Sequence, residues 1–397
     1  MTVTATELAP GSLQGRKIII VHSTLELAGA ERQSVHLARY LRGSLGARVE
    51  FWGFSNAGAL AQLCESDGFS WRLLPLRWSG GRLRRLMTAL RFARELNRAQ
   101  PTVLLPYTTL PNVLCALSWR LAGARFCIWS QRAAHPFVLG SRLEKAALRL
   151  APCVVSNSRH AAADLATRHG LPQDTIHVIP NGVSLDEPQL SRAEWRQRLG
   201  IEAETTVAAM LAVVRSDKDH DTVLRAWRRL LDRAESAKPA PVLLLAGRLA
   251  DEELRAKALA FDLGLGSNVR FLGHVEDISG LLTASDLAVF ATTHEGVPNG
   301  ILEAMAKGLM VVACDHPGIR EALGDDQAEF LAGPRDPEAL AACLARAARD
   351  PALRQRVGQR NREVVARDFS VAKMCHANAS LIVNALQGSG GRGGRRS

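Results

Sequence analysis

Short apolar runs recur along the chain at intervals that suit alternating strands and helices. Lys17–His22 (KIIIVH) is dense in β-branched residues with no polar alternation, the signature of a strand buried on both faces. Ser23–Gly29 reads as a loop, and a helical pattern follows over Ala30–Leu41. Further strand-like runs are Val49–Phe54, Val103–Leu105, Phe126–Trp129 and Cys153–Val155, with helix-like segments between several of them. The second half repeats the pattern. Val207–Val214, Val242–Ala246, Val269–Phe271, Leu287–Phe290 and Met310–Ala313 read as strands; Thr222–Arg233, Glu252–Leu263 and Ile301–Lys307 read as helices. Such alternation predicts α/β architecture with parallel sheets and crossover helices, one doubly wound domain in each half. Pro180-Asn181-Gly182 is a turn signal near the boundary, Leu185–Leu190 is the expected linker, and a last helix is expected over Val371–Leu386.

Composition changes this picture little. At 397 residues and 47% hydrophobic, the chain has enough apolar content for two cores. Its net charge of +11 favours an anionic partner, whether nucleic acid, acidic lipid or a phosphorylated substrate. The seven cysteines are scattered and form no C-x-x-C pair, so a reducing compartment is expected, with no zinc site. No run approaches a membrane span of about 18 apolar residues, and residues 1–15 lack the plan of a signal peptide. Residues 1–15 and the Gly/Arg-rich tail 387–397 are expected to be disordered.

The most informative stretch is His294-Glu295-Gly296-Val297-Pro298-Asn299-Gly300-Ile301-Leu302-Glu303. It follows one predicted strand and opens a helix. Small residues there let a ligand approach backbone N–H groups, and a helix N-terminus favours negative charge, which outlines a pyrophosphate site. Glu303, expected in the first helical turn, suits two vicinal sugar hydroxyls; Glu295 suits the sugar end of the same ligand. Helix capping by Glu303 and a solvated Glu295 are the structural alternatives.

These residues resemble the E-x7-E motif of family 4 of the glycosyltransferases, and the likeness runs along nearly the whole chain. Ala28-Gly29-Ala30-Glu31-Arg32 is similar to the family's Gly-Gly-Ala-Glu-Arg loop, and Ile179-Pro180-Asn181-Gly182-Val183 to its interdomain strand and turn. Lys218-Asp219-His220 resembles its phosphate loop, Phe271–Asp277 its base-binding loop, and Glu303–Gly308 the motif helix. The resemblance implies a GT-B fold: two Rossmann-like domains facing across a cleft. On that reading residues 16–185 form the acceptor domain and 186–370 the nucleotide-sugar domain, while 371–386 cross back to the first.

The implied donor-binding set is Gly29, Arg215, Lys218, His274, Val275, Glu295, Gly296, Asn299, Gly300, Ile301 and Glu303. Lys218 would pair with the donor diphosphate, His274 and Val275 would hold the base, Glu303 the ribose, and Glu295 would face the transferred sugar. Gly29 would approach the phosphate from the first domain. Glu295, Lys218 and Arg132 are the residues implied at the reacting centre. Three departures stand out. Val213 occupies the position of the family's arginine, with Arg215 nearby; Ala28 replaces the first glycine of the N-terminal pair; and Arg132 fills the slot where many members carry a histidine. Retaining members rely on the leaving phosphate oxygen as proton acceptor, so the protein's task is to position groups and stabilise charge.

The remaining features have plainer readings. Asp217, Asp219 and Asp221 precede a helix and read as capping residues rather than metal ligands. His22, His36, His160 and His169 show no ligand spacing, and Trp52, Trp71, Trp78, Trp119 and Trp129 read as core. Arg82–Arg98 is an amphipathic basic helix whose Leu83, Leu86, Met87, Leu90 and Leu96 are expected against the sheet, its arginines facing solvent or an anionic membrane. The expected function is retaining sugar transfer from a nucleotide donor, UDP-linked or other, to a lipid-linked or polysaccharide acceptor. No cofactor, metal or nucleic acid is expected, and the location would be cytoplasmic or peripheral at the inner face of a membrane. The competing functions are a two-domain sugar-nucleotide enzyme such as a 2-epimerase, a basic nucleic-acid-binding protein without a recognisable binding motif, and a dehydrogenase without a clear G-x-G-x-x-G.

Overall fold

The computed structural model describes residues 8–76, 78–132, 141–233, 239–248 and 252–388. The chain forms two compact units: one is the chain up to Gly182 together with the segment from Val371 on, the other Val183–Ser370. The boundary falls three residues before the one expected. Val183 donates its N–H to Phe369 O at 2.8 Å and bridges to Ser370, which ties it to the second unit.

In the first unit the elements run β1 (Lys17–Leu25), α1 (Gly29–Gly43), β2 (Arg48–Ala57), α2 (Ala59–Asp67), β3 (Ser70–Leu73), α3 (Arg82–Ala99), β4 (Val103–Pro106), α4 (Thr109–Ser118), β5 (Phe126–Gln131), α5 (Ser141–Leu150), β6 (Cys153–Ser156), α6 (Arg159–His169) and β7 (Ile176–Val178). The sheet order is β3-β2-β1-β4-β5-β6-β7, with every pair parallel. Alternation along β1 sorts its side chains to two cores. Ile18 and Ile20 join Leu37, Leu41 and Phe51 on one face; Ile19 and Val21 join Phe92, Leu96 and Leu114 on the other.

The second unit runs α7 (Arg192–Arg198), β8 (Val207–Leu211), α8 (His220–Arg233), β9 (Val242–Ala246), α9 (Glu253–Asp262), β10 (Val269–Gly273), α10 (Ile278–Ala284), β11 (Leu287–Phe290), α11 (Asn299–Ala306), β12 (Met310–Cys314), α12 (Pro317–Leu323), β13 (Leu331–Ala332), α13 (Pro337–Arg349) and α14 (Pro351–Asp368). Its parallel sheet has the order β10-β9-β8-β11-β12-β13. In each unit the strand order reverses once, between β1 and β4 and between β8 and β11. Doubly wound sheets bind ligands beyond the carboxyl ends of the strands at such a point.

The last helix, α15 (Val371–Gly388), belongs to the first unit. Its Met374, Cys375, Ala379, Ile382 and Val383 enter the core of α1 and α2, and Arg125 donates to Leu386 O at 3.1 Å. The helix runs two residues past its expected end, so Gln387 and Gly388 are helical rather than tail; 389–397 lie outside the described residues. Disorder over 1–15 is also corrected where residues are described. Gly11, Leu13 and Gly15 donate N–H groups to Ser44, Leu45 and Gly46 carbonyls, and Leu13 is buried; its side chain gives that turn an anchor. All seven cysteines are free thiols; burial pushes Cys64, Cys153, Cys314 and Cys375 up to about 12, which leaves them inert.

A second correction concerns α3. Leu83, Leu86, Met87 and Leu90 do not face the sheet; they are exposed, and of the expected set Leu96 alone is buried, with Phe92 and Ala93. The helix carries two apolar stripes, and the richer one points outward.

Candidate functional site

The loops that follow β8 and β11 rise from neighbouring strands of the second unit. They are stitched together by one carbonyl: Asp217 O accepts the Thr293 N–H at 2.9 Å and the Thr292 hydroxyl at 2.8 Å. The stitch brings Lys218 and Glu295, remote in sequence, into direct ion-pair contact. Asp217 joins them, its carboxylate 3.6 Å from the Lys218 ammonium and clasped by the Arg215 guanidinium. Burial pushes the Lys218 ammonium down to about 8, with Arg215 acting in the same direction and Asp217 pulling upward. The Glu295 carboxylate in contact also favours the charged form. Burial raises the Asp217 carboxyl, but the hydrogen bond from Arg215 and the charges of Lys218 and Arg215 outweigh it and hold it below its ordinary value.

The β11 loop ends in α11, which begins two residues earlier than the sequence pattern suggests. Glu303 is therefore in the second turn, not the first. It is half-buried and too far along the helix to cap it. No side chain caps α11 at its own N-cap, Pro298, and the N–H groups of such a helix end accept anions. Gly300 lets this end sit tightly on the sheet. A Cβ there would lie 2.3 Å from Leu211 O and 3.0 Å from the Phe290 ring. The Gly296 carbonyl is packed just as closely on α12, 1.6 Å from where a Cβ on Gly318 would stand. Asn299 opens α11, whereas the Ile301 side chain is fully buried in the core, which leaves only its main chain to face a ligand.

His274 and Val275 follow β10, the edge strand, two strands from β8. His274 is exposed and Val275 half-buried. Next to them Asp277 starts α10 and accepts hydrogen bonds from Gly280 N, Gln189 N, Leu190 N and the Trp195 indole. Burial pushes its carboxyl up, and these donors more than reverse that. Lys307 Nζ donates to Ser279 Oγ at 3.2 Å, which ties α11 to α10. The three aspartates have protein partners: Asp217 as above, Asp219 with Thr222 at the start of α8, and Asp221 with Arg255 at 2.7 Å. Among the described residues no group of three or more His, Cys, Asp or Glu side chains is placed to hold a metal ion.

In the first unit, Gly29 opens α1 at the carboxyl end of β1 and is exposed. Arg132 follows β5; its guanidinium lies 4.5 Å from the Tyr107 ring centre and donates to Asn181 Oδ1 at 3.1 Å. Tyr107 stacks on His22 with ring centres 5.0 Å apart. His22 Nε2 lies 2.9 Å from Ser34 Oγ, and its Nδ1 3.3 Å from Glu31. Burial raises the Glu31 carboxyl, but His22 and backbone N–H groups outweigh it and hold it low. In sequence His22 reads as an ordinary polar residue and Asn181 as part of a turn, while nothing singles out Tyr107. The available signal was position: each lies near the carboxyl end of a strand. Thr292 and Thr293 carry no such signal, since their work is to tie two loops together through Asp217 O.

Residues 191–364 match the sequence family described as glycosyl transferases group 1, and residues 27–187 that described as glycosyltransferase family 4. Among curated proteins, the chain is 28% identical over 214 residues to D-inositol 3-phosphate glycosyltransferase of Streptomyces avermitilis, covering 52% of this chain and 46% of that one. It is 28% identical over 233 residues to the lipopolysaccharide core biosynthesis glycosyltransferase LpsE of Rhizobium meliloti, covering 56% and 68%. The chain thus spans about half the length of the inositol-phosphate transferases it matches. Among solved structures, Anabaena Alr3699/HepE in complex with UDP and glucose superposes with a TM-score of 0.79 at 20% identity, over 92% of this chain and 99% of that one. WaaG, a glycosyltransferase involved in lipopolysaccharide biosynthesis, superposes with a TM-score of 0.72 at 18% identity, over 92% and 99%.

Proposed function

The chain belongs to family 4 of the glycosyltransferases and has their GT-B fold, and on that premise we propose that it moves a sugar from a nucleotide diphosphate donor to a lipid-linked or polysaccharide acceptor, with retention and without a metal. The observation that carries the proposal is the contact between Lys218 and Glu295 at the switch point of the second sheet, beside the N-terminus of α11. A cation, a helix end and a carboxylate within one loop pair suit a sugar diphosphate: phosphate oxygens to Lys218 and the α11 N–H groups, sugar hydroxyls to Glu295. Half-buried Glu303, one turn further along, suits the ribose. His274 and Val275 suit the base through main chain.

In the proposed reaction the bond from the sugar's anomeric carbon to the diphosphate oxygen breaks. A bond from the acceptor oxygen forms on the same face, and the acceptor's proton passes to the departing phosphate oxygen. Lys218 and the α11 N–H groups stabilise the charge that grows on the diphosphate, the kind of preorganised stabilisation that dominates many enzymes. Arg215, held against Asp217, adds positive charge near the place left by Val213. Gly29 and Arg132, in the first unit, suit the acceptor side.

Two relatives support the substrate classes. HepE was crystallised with UDP and glucose, and LpsE is named for lipopolysaccharide core biosynthesis. The test is to incubate the protein with labelled UDP- and GDP-sugars and a lipid-linked saccharide extract, then follow the label. Label in the saccharide that disappears with Lys218→Ala is expected. Label found only as free sugar or as an interconverted nucleotide sugar would overturn transfer.

A further inference from the structure

Nine large apolar side chains are exposed among the described residues, and four of them, Leu83, Leu86, Met87 and Leu90, stand on α3. They are 72%, 56%, 63% and 43% exposed. At about 100° per residue these four fall within an arc of about 100°. They form one continuous stripe, while Phe92 and Leu96 hold the helix to the sheet from the far side. Isolated exposed leucines are ordinary on protein surfaces; a stripe of four on one helix is not.

The charges around the stripe say what covers it. The helix has six arginines and one glutamate, and that glutamate, Glu95, is already bonded to Arg72 at 2.6 Å and Arg98 at 2.8 Å. Arg82 flanks the stripe on one side, Arg84 and Arg91 on the other, and Arg94 closes its C-terminal end; all four are exposed. An apolar band edged by cations matches a bilayer surface, where side chains enter the acyl boundary and guanidinium groups reach anionic headgroups. No helix of the described residues is long and apolar enough to cross a membrane, so the contact is in the plane of the interface.

We propose that α3 is a membrane-docking helix that lies on an anionic leaflet with Leu83, Leu86, Met87 and Leu90 inserted. Docking rests on the placement of α3, not on the transfer reaction, and is tested without donor or acceptor. The experiment is sedimentation with phosphatidylcholine vesicles, with and without phosphatidylglycerol, for the intact protein and two variants. The Leu86→Ser/Met87→Ser double variant is expected to bind the anionic vesicles at least about tenfold more weakly. Its thermal midpoint should hold, since the replaced side chains touch water. The Leu254→Ser/Phe261→Ser variant, which removes two still more exposed apolar groups from α9, is expected to bind like the wild type. Wild-type-like binding by the α3 variant, equal binding to neutral vesicles, or a lipid-free dimer abolished by the same α3 substitutions would overturn docking.

Discussion

Raising the pH should loosen the proposed donor site through one residue. Lys218 is pushed down to about 8 by burial, so its ammonium loses its proton in an accessible range. A bound diphosphate favours the charged form and raises the value. Below about 8 the ammonium is present with or without donor, and affinity should be flat. Above it, the free protein must take up a proton to bind, and affinity should fall by up to tenfold per pH unit until the bound-state value is reached. The span of that fall is set by the lost bond. A hydrogen bond to a charged group contributes about 1.5–3 kcal/mol, so a total loss of about 10- to 150-fold is expected. Isothermal titration of a nucleotide sugar at successive pH values from neutral to mildly alkaline reads it directly. Lys218→Arg is the reference, because a guanidinium stays charged throughout and cancels any titration of the ligand. A flat wild-type profile, or the same fall in Lys218→Arg, would refute the reasoning.

Glu303→Ala should weaken nucleotide binding while the fold is kept; unchanged affinity for UDP and GDP by titration would remove its ribose role. Turnover should survive EDTA, and complete loss restored by Mn²⁺ or Mg²⁺ would return Asp217 and Asp219 to consideration as ligands. His220 gives a stability signature. Burial and the nearby Lys218 hold it down to about 4, so it folds neutral, and protonation of the unfolded chain should remove about 3 kcal/mol as pH falls from about 6.5 to 4. Urea unfolding of His220→Asn should lose that slope; a wild-type slope would place it on other groups.

The strands of the sheet interiors were legible because burial on both faces leaves an uninterrupted apolar run: Val242–Ala246 and Leu287–Phe290 are read to the residue. The strands that escaped, β3, β7 and β13, lie at sheet edges and are four, three and two residues long. An edge strand needs only one neighbour, so little in its composition marks it. Helix α3 failed for a different reason, since periodicity identifies an apolar stripe but not which of two stripes meets the sheet. At the site, Gly296, Gly300 and Glu295 were visible as a motif in one loop. The ion pair to Lys218 was not, because it depends on Asp217 O holding two threonines of another loop. Glu303 was placed one turn too early because α11 starts at Asn299, with Pro298 before it, and no capping side chain announces the start.

The position of α15 has a consequence for the order in which this protein can be made. The first unit begins near the N-terminus, yet Met374, Ile382 and Val383 fill its core beside α1. A ribosome delivers the residues up to Gly182, then all of the second unit, before the helix that closes the first core emerges. The second unit, continuous in sequence, can complete itself while the first still has an apolar gap over α1 and α2. The earlier-made unit is thus the later to finish, and through that interval its open face is the part of the nascent chain most in need of shielding.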